Sequence, residues 1–194
     1  MGRHVEFDAD SAKKAAIELF WSKGYHAATL DLLCEIMGIS RSSFYTTFGD
    51  KRTFFIECMN MYLNQMNQAF SIISSFEELK QWTINWFCDK KSDRTNMGCM
   101  VVSIAAEMAD VDDELVKLMR DGMQTVTQAR IQIFLRMGCN QSLAKRLGSF
   151  FQVFAEGLLV GSRREIPRQK IKEIIETGFD LMLSTIEGSE QSFA

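Results

Sequence analysis

Residues 29–51 read TLDLLCEIMGISRSSFYTTFGDK, a pattern that predicts two short helices joined by a three-residue turn. Thr29 can cap the first helix with its hydroxyl, and the apolar residues that follow recur at helical spacing. Gly38 suits the left-handed conformation that ends many helices, and Ser40 can cap the next helix. The stretch therefore predicts a helix, a tight turn and a second helix.

The second helix, which is predicted from Arg41 to Phe48, has two contrasting faces. Phe44 and Phe48 lie four residues apart and so share one apolar face. The remaining surface carries hydrogen-bonding side chains, namely Arg41, Ser42, Ser43, Tyr45, Thr46 and Thr47. Two helices around such a turn form a helix-turn-helix unit, whose second helix can enter the major groove of DNA.

The composition of the whole chain favours an all-α, soluble fold. The 194 residues include one proline, Pro167, and 12 glycines, which are too few turn formers for many short strands. The content of 46% hydrophobic and 24% charged residues is typical of globular proteins. We predict about nine helices, arranged as a three-helix head in residues 1–52 and a larger helical domain in residues 53–194.

The helices outside the helix-turn-helix follow from apolar spacing, caps and breakers. The first is expected to be capped by Asp8 or Asp10 and to end at Gly24, and the fourth to begin at Lys51 and to break near residues 71–76. The other predicted helices span about 77–88, 97–109, 113–138, 141–162 and 167–186, with a solvated loop at 89–94 and a frayed tail from 188 onward.

Charge and targeting signals limit the possible partners and location. The net charge of −3 argues against a generic polyanion binder, and residues 1–52 carry seven basic against seven acidic side chains. The longest uncharged stretch, 58–76, contains five amide side chains and cannot lie in hydrocarbon. No signal peptide pattern begins the sequence. We therefore expect a cytoplasmic protein without a membrane span, whose DNA contacts are local.

Catalytic and metal-binding patterns are missing from the sequence. The two histidines, His4 and His26, lie in or beside the predicted head, and no glycine-rich phosphate loop, nucleophile elbow or H-E-x-x-H site occurs. The five cysteines form no C-x-x-C pair, so most are expected to be small buried residues. The sequence therefore predicts neither an enzyme nor a protein that needs a metal or another cofactor.

The stretch 38–51, together with Thr29-Leu30 and the earlier segment 15–25, resembles the N-terminal DNA-binding domain of the TetR family of bacterial transcriptional regulators. The Phe-Tyr-x-x-Phe-x-x-Lys order at 44–51 is the most specific part of this resemblance, which covers about residues 10–55. The resemblance implies an all-helical homodimer with a three-helix reading head and a larger C-terminal domain that binds a small effector.

The resemblance also implies roles for residues of the head. Thr29 and Tyr45 match phosphate-contacting positions, and Lys51 matches the phosphate-binding lysine at the start of the fourth helix. The groove-facing positions are matched by Arg41, Ser42, Ser43 and Thr46, and Ser40 and Thr47 complete the predicted DNA-binding set. These roles are physically reasonable, because arginine can donate a bidentate pair to guanine and lysine beside helix-start amides makes an anion site.

The last two helices carry apolar stripes that predict a dimer interface. A palindromic operator needs two reading heads about one helical turn of DNA apart, and a two-fold dimer supplies them. The residues predicted at this interface are Phe150, Phe154, Leu158, Ile175, Phe179 and Met182. The alternative is a well-buried helix pair within one chain.

The effector pocket is expected among the middle helices, where aromatic residues and methionines are frequent. The predicted lining is Trp82, Trp86, Met100, Ile104, Met123 and Phe151, with Ser103, Glu107 and Gln124 as polar points. The alternative is that these residues are plain helix core. A methionine-rich lining favours a small hydrophobic effector over a highly charged one.

The sequence therefore predicts a ligand-responsive transcriptional regulator, a repressor that a small effector releases from a palindromic operator in double-stranded DNA. One alternative is a cysteine-based electrophile sensor on the same fold. Gly98-Cys99 faintly resembles a subset of the family with such sensors, and a thiol at a helix N-terminus can become nucleophilic. Another alternative is a helical interaction protein that has lost DNA binding, which the intact Arg41 and Lys51 argue against.

Overall fold

The computed structural model describes residues 8–89 and 99–191, and these residues form nine helices without a strand. The predicted all-helical fold is confirmed. None of the helices in these two ranges is long and apolar enough to span a membrane. The helices are α1 Ala9–Ala27, α2 Leu30–Met37, α3 Arg41–Phe48, α4 Lys51–Ser71, α5 Phe76–Cys88, α6 Met100–Met108, α7 Asp113–Arg136, α8 Gln141–Arg163 and α9 Arg168–Gln191.

The described residues belong to two compact units. The first unit takes its residues from Met1–Gln65 and Met100–Gly122, and the second from Met66–Cys99 and Met123–Ala194. Helices α4 and α7 therefore each include residues of both units. The first unit contains α6 in addition to the helix-turn-helix, and the domain boundary predicted after residue 52 stays a prediction.

Local caps place the ends of α2 and α3 where the sequence predicted them. The Thr29 hydroxyl accepts a hydrogen bond from the Leu32 N–H at 3.3 Å, and the Ser40 hydroxyl accepts one from the Ser43 N–H at 3.1 Å. Between the two helices, Gly38 takes the left-handed conformation with φ 66°. Short-range hydrogen bonds therefore define the turn of the helix-turn-helix.

Some helix ends differ from the prediction. Gly24, with φ 83°, interrupts α1, but a further turn continues to Ala27. Helix α9 extends to Gln191, so the tail predicted to fray from Gly188 is helical there, since a glycine inside a helix costs only about 1 kcal/mol. The predicted start of the sixth helix and most of the predicted loop before it lie in residues 90–98, outside the described residues.

Aromatic packing holds α3 against the start of α4 in the first unit. Phe44, Phe48 and Phe54 are buried. The Phe54 ring centre lies 5.1 Å from that of Phe44 and 4.4 Å from that of Phe48. Because both inward-facing residues of α3 are used in this core, the opposite face of the helix points outward.

The second unit has a separate core in which α9 packs against α5 and α8. Phe179 is fully buried, and its ring centre lies 5.2 Å from that of Phe76 and 6.0 Å from that of Phe151. Helix α8 also approaches α7 closely at Gly148, where a Cβ atom would lie 2.5 Å from Ile131 Cγ1. A glycine at this position allows the two helices to touch.

Gly148→Ala should lower the free energy of unfolding by about 1 kcal/mol or more. The added methyl group would also lie 3.1 Å from the Ile131 Cα and backbone nitrogen, which cannot rotate away. The overpacking penalty of ~1–3 kcal/mol outweighs the gain in helix propensity of ~0.5–1 kcal/mol. Chemical denaturation should show this loss, whereas the control Ser149→Ala, at an exposed position, should change stability little. A Gly148→Ala variant as stable as the wild type would contradict this packing.

Candidate nucleic-acid interface

Helix α3 presents a continuous polar face to solvent. All the hydrogen-bonding residues predicted on this face are exposed, namely Arg41, Ser42, Ser43, Tyr45, Thr46 and Thr47. The contrast along the helix is sharp, because Tyr45 is 55% exposed while its neighbour Phe44 is fully buried. The exposed side chains include donors and acceptors of the kind that contact base edges and phosphates.

Several of the predicted hydroxyl groups also hold the backbone of the head. Thr29 and Ser40 cap helices, the Ser40 and Ser43 hydroxyl oxygens lie 2.9 Å apart, and the Thr46 hydroxyl donates to the Ser42 carbonyl at 2.9 Å. A hydroxyl that accepts a cap bond still carries a proton that it can donate. Capping and a phosphate contact are therefore compatible at Thr29.

Arg41 forms a bidentate pair with an acidic residue of α2. Its Nε donates to Asp31 Oδ1 and its Nη2 to Asp31 Oδ2, both at 2.6 Å. The hydrogen bonds to Asp31 and its charge raise the pKa of Arg41. Asp31 was not among the predicted DNA-binding residues, since its place in the first turn of α2 already had an explanation in the helix dipole.

Lys51 begins α4 as predicted, but its side chain folds back over the head. The ammonium lies 4.5 Å from the centre of the Tyr25 ring and donates to the His26 carbonyl at 3.5 Å. Partial burial lowers the pKa of Lys51. The helix-start amides predicted beside it are partly used, because Asp50 Oδ1 accepts the Thr53 N–H at 2.7 Å. A phosphate at this position would therefore rely on the ammonium more than on the amides.

A carboxylate from α6 binds the end of α1. Glu107 Oε2 accepts the Tyr25 N–H at 2.8 Å, and Oε1 accepts the His26 N–H at 2.6 Å. The adjacent Gly24 has φ 83°, a conformation that favours glycine, and a Cβ atom there would lie 2.5 Å from Oε2 and would displace the carboxylate. Glu107 had been predicted as a polar point of the effector pocket. Its two oxygens accept N–H groups at the interrupted end of α1, from the same two residues that Lys51 contacts, and its role in a pocket stays a prediction.

A second ionic contact joins the start of α4 to the start of α7. Arg52 Nε donates to Asp112 Oδ2 at 2.6 Å, and Arg52 Nη2 donates to Asp112 Oδ1 and to Glu114 Oε2, both at 3.1 Å. Asp112 Oδ1 also caps α7, as predicted, by accepting the Leu115 N–H at 2.9 Å. The hydrogen bond from Arg52 and this cap lower the pKa of Asp112 to about 2.

Asp112→Asn should lower the thermal unfolding temperature at neutral pH and lose its effect in acid. Asparagine can still cap α7, but it cannot form the ion pair with Arg52. The folded-state pKa of Asp112 lies below the value of about 3.9 in an unfolded chain, so the stabilisation is complete above about pH 4 and disappears toward pH 2. Thermal unfolding at pH 2–7 should show that the unfolding temperatures of the wild type and Asp112→Asn converge as the pH falls from about 4 to 2. A constant difference across this pH range would contradict the role of the pair.

The predicted effector residues are divided between the two units. Met100, Ser103, Ile104 and Glu107 lie on α6 in the first unit, and Trp82, Trp86, Met123, Gln124 and Phe151 belong to the second. In the second unit the Trp82 ring stacks on Trp86 at 5.4 Å and lies 4.9 Å from Phe70, measured between ring centres. The two tryptophans of the predicted lining therefore form one aromatic cluster with Phe70.

Arg130, which the sequence prediction did not include, is a buried cation of this cluster. Its side chain is buried, and its guanidinium lies 4.7 Å from the centre of the Phe70 ring and 5.7 Å from that of Phe151. These distances are typical of cation–π contacts. Its position four residues after Val126 and four before Phe134 places it on the apolar face of α7, and this spacing could have predicted its burial.

The last two helices carry an inner and an outer apolar set. Of the predicted interface residues, Leu158, Ile175, Phe179 and Met182 are buried within the single chain. Phe154 is half-buried and stacks on the exposed ring of Phe150, with centres 5.8 Å apart. The large exposed apolar residues of α8 and α9 are Phe150, Val153, Val160, Leu181 and Leu183. The inner set thus packs within one chain, and the outer set remains at its surface.

The cysteines differ in their surroundings. Burial raises the pKa of the Cys58 thiol to about 12, and it also raises the pKa of Cys34 and of Cys88. Cys99 is half-buried and directly precedes the first residue of α6. In the part of the chain that the structure describes, no group of three or more His, Cys, Asp or Glu side chains could hold a metal ion.

Two family models match separate parts of the chain. Residues 14–58 match the bacterial regulatory proteins of the tetR family, and residues 75–177 match the LmrA/YxaF-like transcriptional regulator C-terminal domain. The first match contains the complete helix-turn-helix, and the second covers more than half of the chain.

Individual relatives give the same assignment. The HTH-type transcriptional regulator YezE of Bacillus subtilis (strain 168) is 30% identical over 60% of this chain, a match that spans 63% of YezE and thus less than two thirds of it. The HTH-type transcriptional repressor ComR of Escherichia coli (strain K12) is 22% identical over 91% of this chain and 89% of its own length.

A solved structure extends the comparison to a DNA complex. A cysteine mutant of the TetR family transcriptional regulator CifR, complexed with 26-bp double-strand operator DNA, is 26% identical, with a TM-score of 0.67 over 92% of this chain and 98% of CifR. Together with the polar outer face of α3, these matches show that the chain belongs to the TetR family of bacterial transcriptional regulators and is a DNA-binding protein.

Proposed function

We propose that this chain is a homodimeric repressor, which binds a palindromic operator through two copies of α3 and releases it when a small hydrophobic effector binds. The observation that carries the proposal is the outward polar face of α3, held by the buried Phe44 and Phe48. Two relatives support it, because ComR is a repressor and CifR binds operator DNA. The ComR comparison favours repression, and the CifR comparison favours binding to an operator.

The proposed contacts divide into base reading and phosphate binding. The groove is read by Arg41, Ser42, Ser43 and Thr46, whereas Thr29, Tyr45 and Lys51 bind phosphates on either side. Lys51 is already close to this surface, and its ammonium exchanges the His26 carbonyl for a phosphate oxygen on binding. Backbone contacts of this kind give affinity without sequence preference.

Lys51→Ala should weaken binding to all DNA sequences by a similar factor. The loss of one phosphate contact should reduce the slope of log affinity against log salt by about 1. Fluorescence anisotropy with specific and unrelated duplexes at several salt concentrations measures this slope. Lys145→Ala is the matched control, since it removes an exposed lysine from α8 and should leave the slope unchanged. Equal slopes for wild type and Lys51→Ala would exclude the phosphate contact.

The dimer interface is proposed on the outer apolar set of α8 and α9. Val153 and Leu181 are 68% and 62% exposed, and they belong to the five large apolar residues that α8 and α9 leave at the surface, where exposed apolar area favours contact with another protein surface. Gly157 lies on the same side of α8 as Val153, and a Cβ atom there would meet nothing within 4 Å. This open strip would allow a second copy of α8 to approach closely.

The effector is proposed to bind at the aromatic cluster of the second unit. The half-buried rings of Trp82 and Trp86 offer flat apolar surfaces there, and the buried Phe70 packs against Trp82. Since α4 and α7 include residues of both units, a shift of either helix reaches the head. We expect a coupling of roughly 1–3 kcal/mol, and operator DNA must weaken effector binding by the same factor. Titration of hydrophobic compounds by tryptophan fluorescence, with and without operator, tests both statements.

A cysteine sensor on the same fold is the second candidate function. Cys99 favours it, because this residue is half-buried at the start of α6, whereas burial raises the pKa of Cys34, Cys58 and Cys88. N-ethylmaleimide should then release the wild type from DNA but not Cys99→Ser, whose untreated binding should be normal. Equal sensitivity of the two proteins would exclude Cys99 and leave the reversible effector.

A further inference from the structure

The pair between Arg41 and Asp31 lies on the exposed surface of the helix-turn-helix, which we proposed above to face DNA. Asp31 lies in the first turn of α2 and Arg41 begins α3, so the two side chains meet across the turn of the helix-turn-helix. Both side chains are exposed, at 60% for Arg41 and 68% for Asp31. DNA phosphates repel an exposed carboxylate, so Asp31 on this surface should lower the affinity for DNA.

The geometry of the pair leaves one edge of the guanidinium for DNA. A guanidinium has five N–H hydrogens, and Asp31 takes the one on Nε and one of the two on Nη2. Two hydrogens on Nη1 and one on Nη2 remain, and they form a second fork at the far end of the group. Such a fork matches the O6 and N7 acceptors of guanine in the major groove.

We propose that Asp31 is a specificity-determining residue, which fixes Arg41 so that its Nη1/Nη2 edge reads a guanine. The carboxylate restricts the long arginine side chain to one plane before DNA arrives, and preorganisation of this kind favours the one base that matches. Asp31 thereby lowers the affinity for all DNA sequences and raises the selectivity for guanine at one base pair. The inference rests on the proposed role of Arg41 in reading the operator.

Removing the carboxylate should change selectivity and general affinity in opposite directions. Asp31→Asn loses the charge that holds Arg41, so the preference for guanine over adenine at one symmetric base pair should fall about 10-fold or more. The same variant should bind unrelated DNA as tightly as the wild type or several-fold more tightly, because one repelled charge is gone. A role confined to stabilising α2 would weaken binding to both DNAs together.

Two further variants separate charge from geometry. Asp31→Glu keeps the charge but moves the carboxylate by one methylene, so the guanine preference should still fall while affinity for unrelated DNA stays unchanged. Glu35→Gln removes a charge from an exposed position one turn along α2 and should leave the guanine preference intact. Circular dichroism melting of each variant confirms that the head remains folded at the assay temperature.

The experiment is a competition binding assay with the full chain, its selected operator, and operators carrying each substitution in the half-site. The proposal is supported if Asp31→Asn and Arg41→Ala lose preference at the same base pair. It is overturned if Asp31→Asn tightens binding to all duplexes with its preferences intact, or if the two variants affect different base pairs. An Arg41→Ala variant with wild-type operator binding would instead refute the proposed role of Arg41 itself.

Discussion

Replacing Val153 and Leu181 with glutamate should convert the protein to a monomer and weaken operator binding by roughly 100-fold or more. Both side chains are exposed, so the substitutions leave the core of the second unit intact. In a symmetric dimer they place four carboxylates in one apolar interface. Each head then binds its half-site alone and loses the gain of about 10²–10⁴ that comes from linking two binding events.

Sedimentation and anisotropy measure the two parts of this prediction. Gln68→Glu with Gln132→Glu is the matched control, since it adds the same charge at exposed positions of α4 and α7 and should leave the dimer unchanged. Thermal unfolding shows whether the variant chain remains folded. A Val153/Leu181 variant that still sediments as a dimer would place the interface elsewhere.

Glu107→Ala should weaken operator binding about 10-fold or more and destabilise the first unit by roughly 1.5–3 kcal/mol or more. The variant leaves the Tyr25 and His26 N–H groups without their carboxylate acceptors, and hydrogen bonds to a charged group contribute about 1.5–3 kcal/mol each. The freed turn also carries the ring and the carbonyl that Lys51 contacts. A displaced Lys51 loses its phosphate contact.

Two variants act as references for Glu107→Ala. Glu107→Gln keeps one acceptor oxygen, so it should lose less operator affinity and less stability than Glu107→Ala. Asp110→Ala removes an exposed carboxylate just after α6 and should leave both quantities close to wild type. Thermal unfolding and operator titration of the three proteins give the comparison. If Glu107→Ala keeps wild-type affinity and stability, the contact between α6 and α1 is unimportant for DNA binding.

The helix-turn-helix could be predicted because its determinants are local. Thr29, Gly38 and Ser40 each act within a few residues of their own position, through a cap or a left-handed turn, so their pattern is visible in the sequence. The two faces of α3 follow equally from helical spacing. Contacts of this range need no knowledge of how the rest of the chain folds.

The long-range contacts of the head could not be predicted in this way. Glu107 lies more than 80 residues from the two amides that it binds, and its sequence context fits a pocket position as well as a cap. Asp31 is 10 residues from Arg41, and only the angle between α2 and α3 brings them together. Such partners depend on tertiary geometry that helical periodicity does not contain.

The apolar stripes of α8 and α9 show a second limit. Periodicity identified Leu158 and Phe179 as apolar positions, but it could not tell contacts within one chain from contacts with another. The structure buries both, whereas Val153 and Leu181 on the same helices remain exposed. An apolar stripe that packs both within its own chain and against a second chain has the same residue spacing as a stripe that packs only within its own chain.

If two copies of α3 read an inverted repeat, selection of the wild-type chain against random duplexes should recover that repeat. We expect a palindromic site whose half-sites are centred one helical turn apart or a small multiple of it, with two chains bound per site. Repeating the selection with Arg41→Ala should relax the same base pair in both half-sites. Recovery of no common sequence, or of a single unrepeated half-site, would show that the chain does not bind DNA as a symmetric pair of heads.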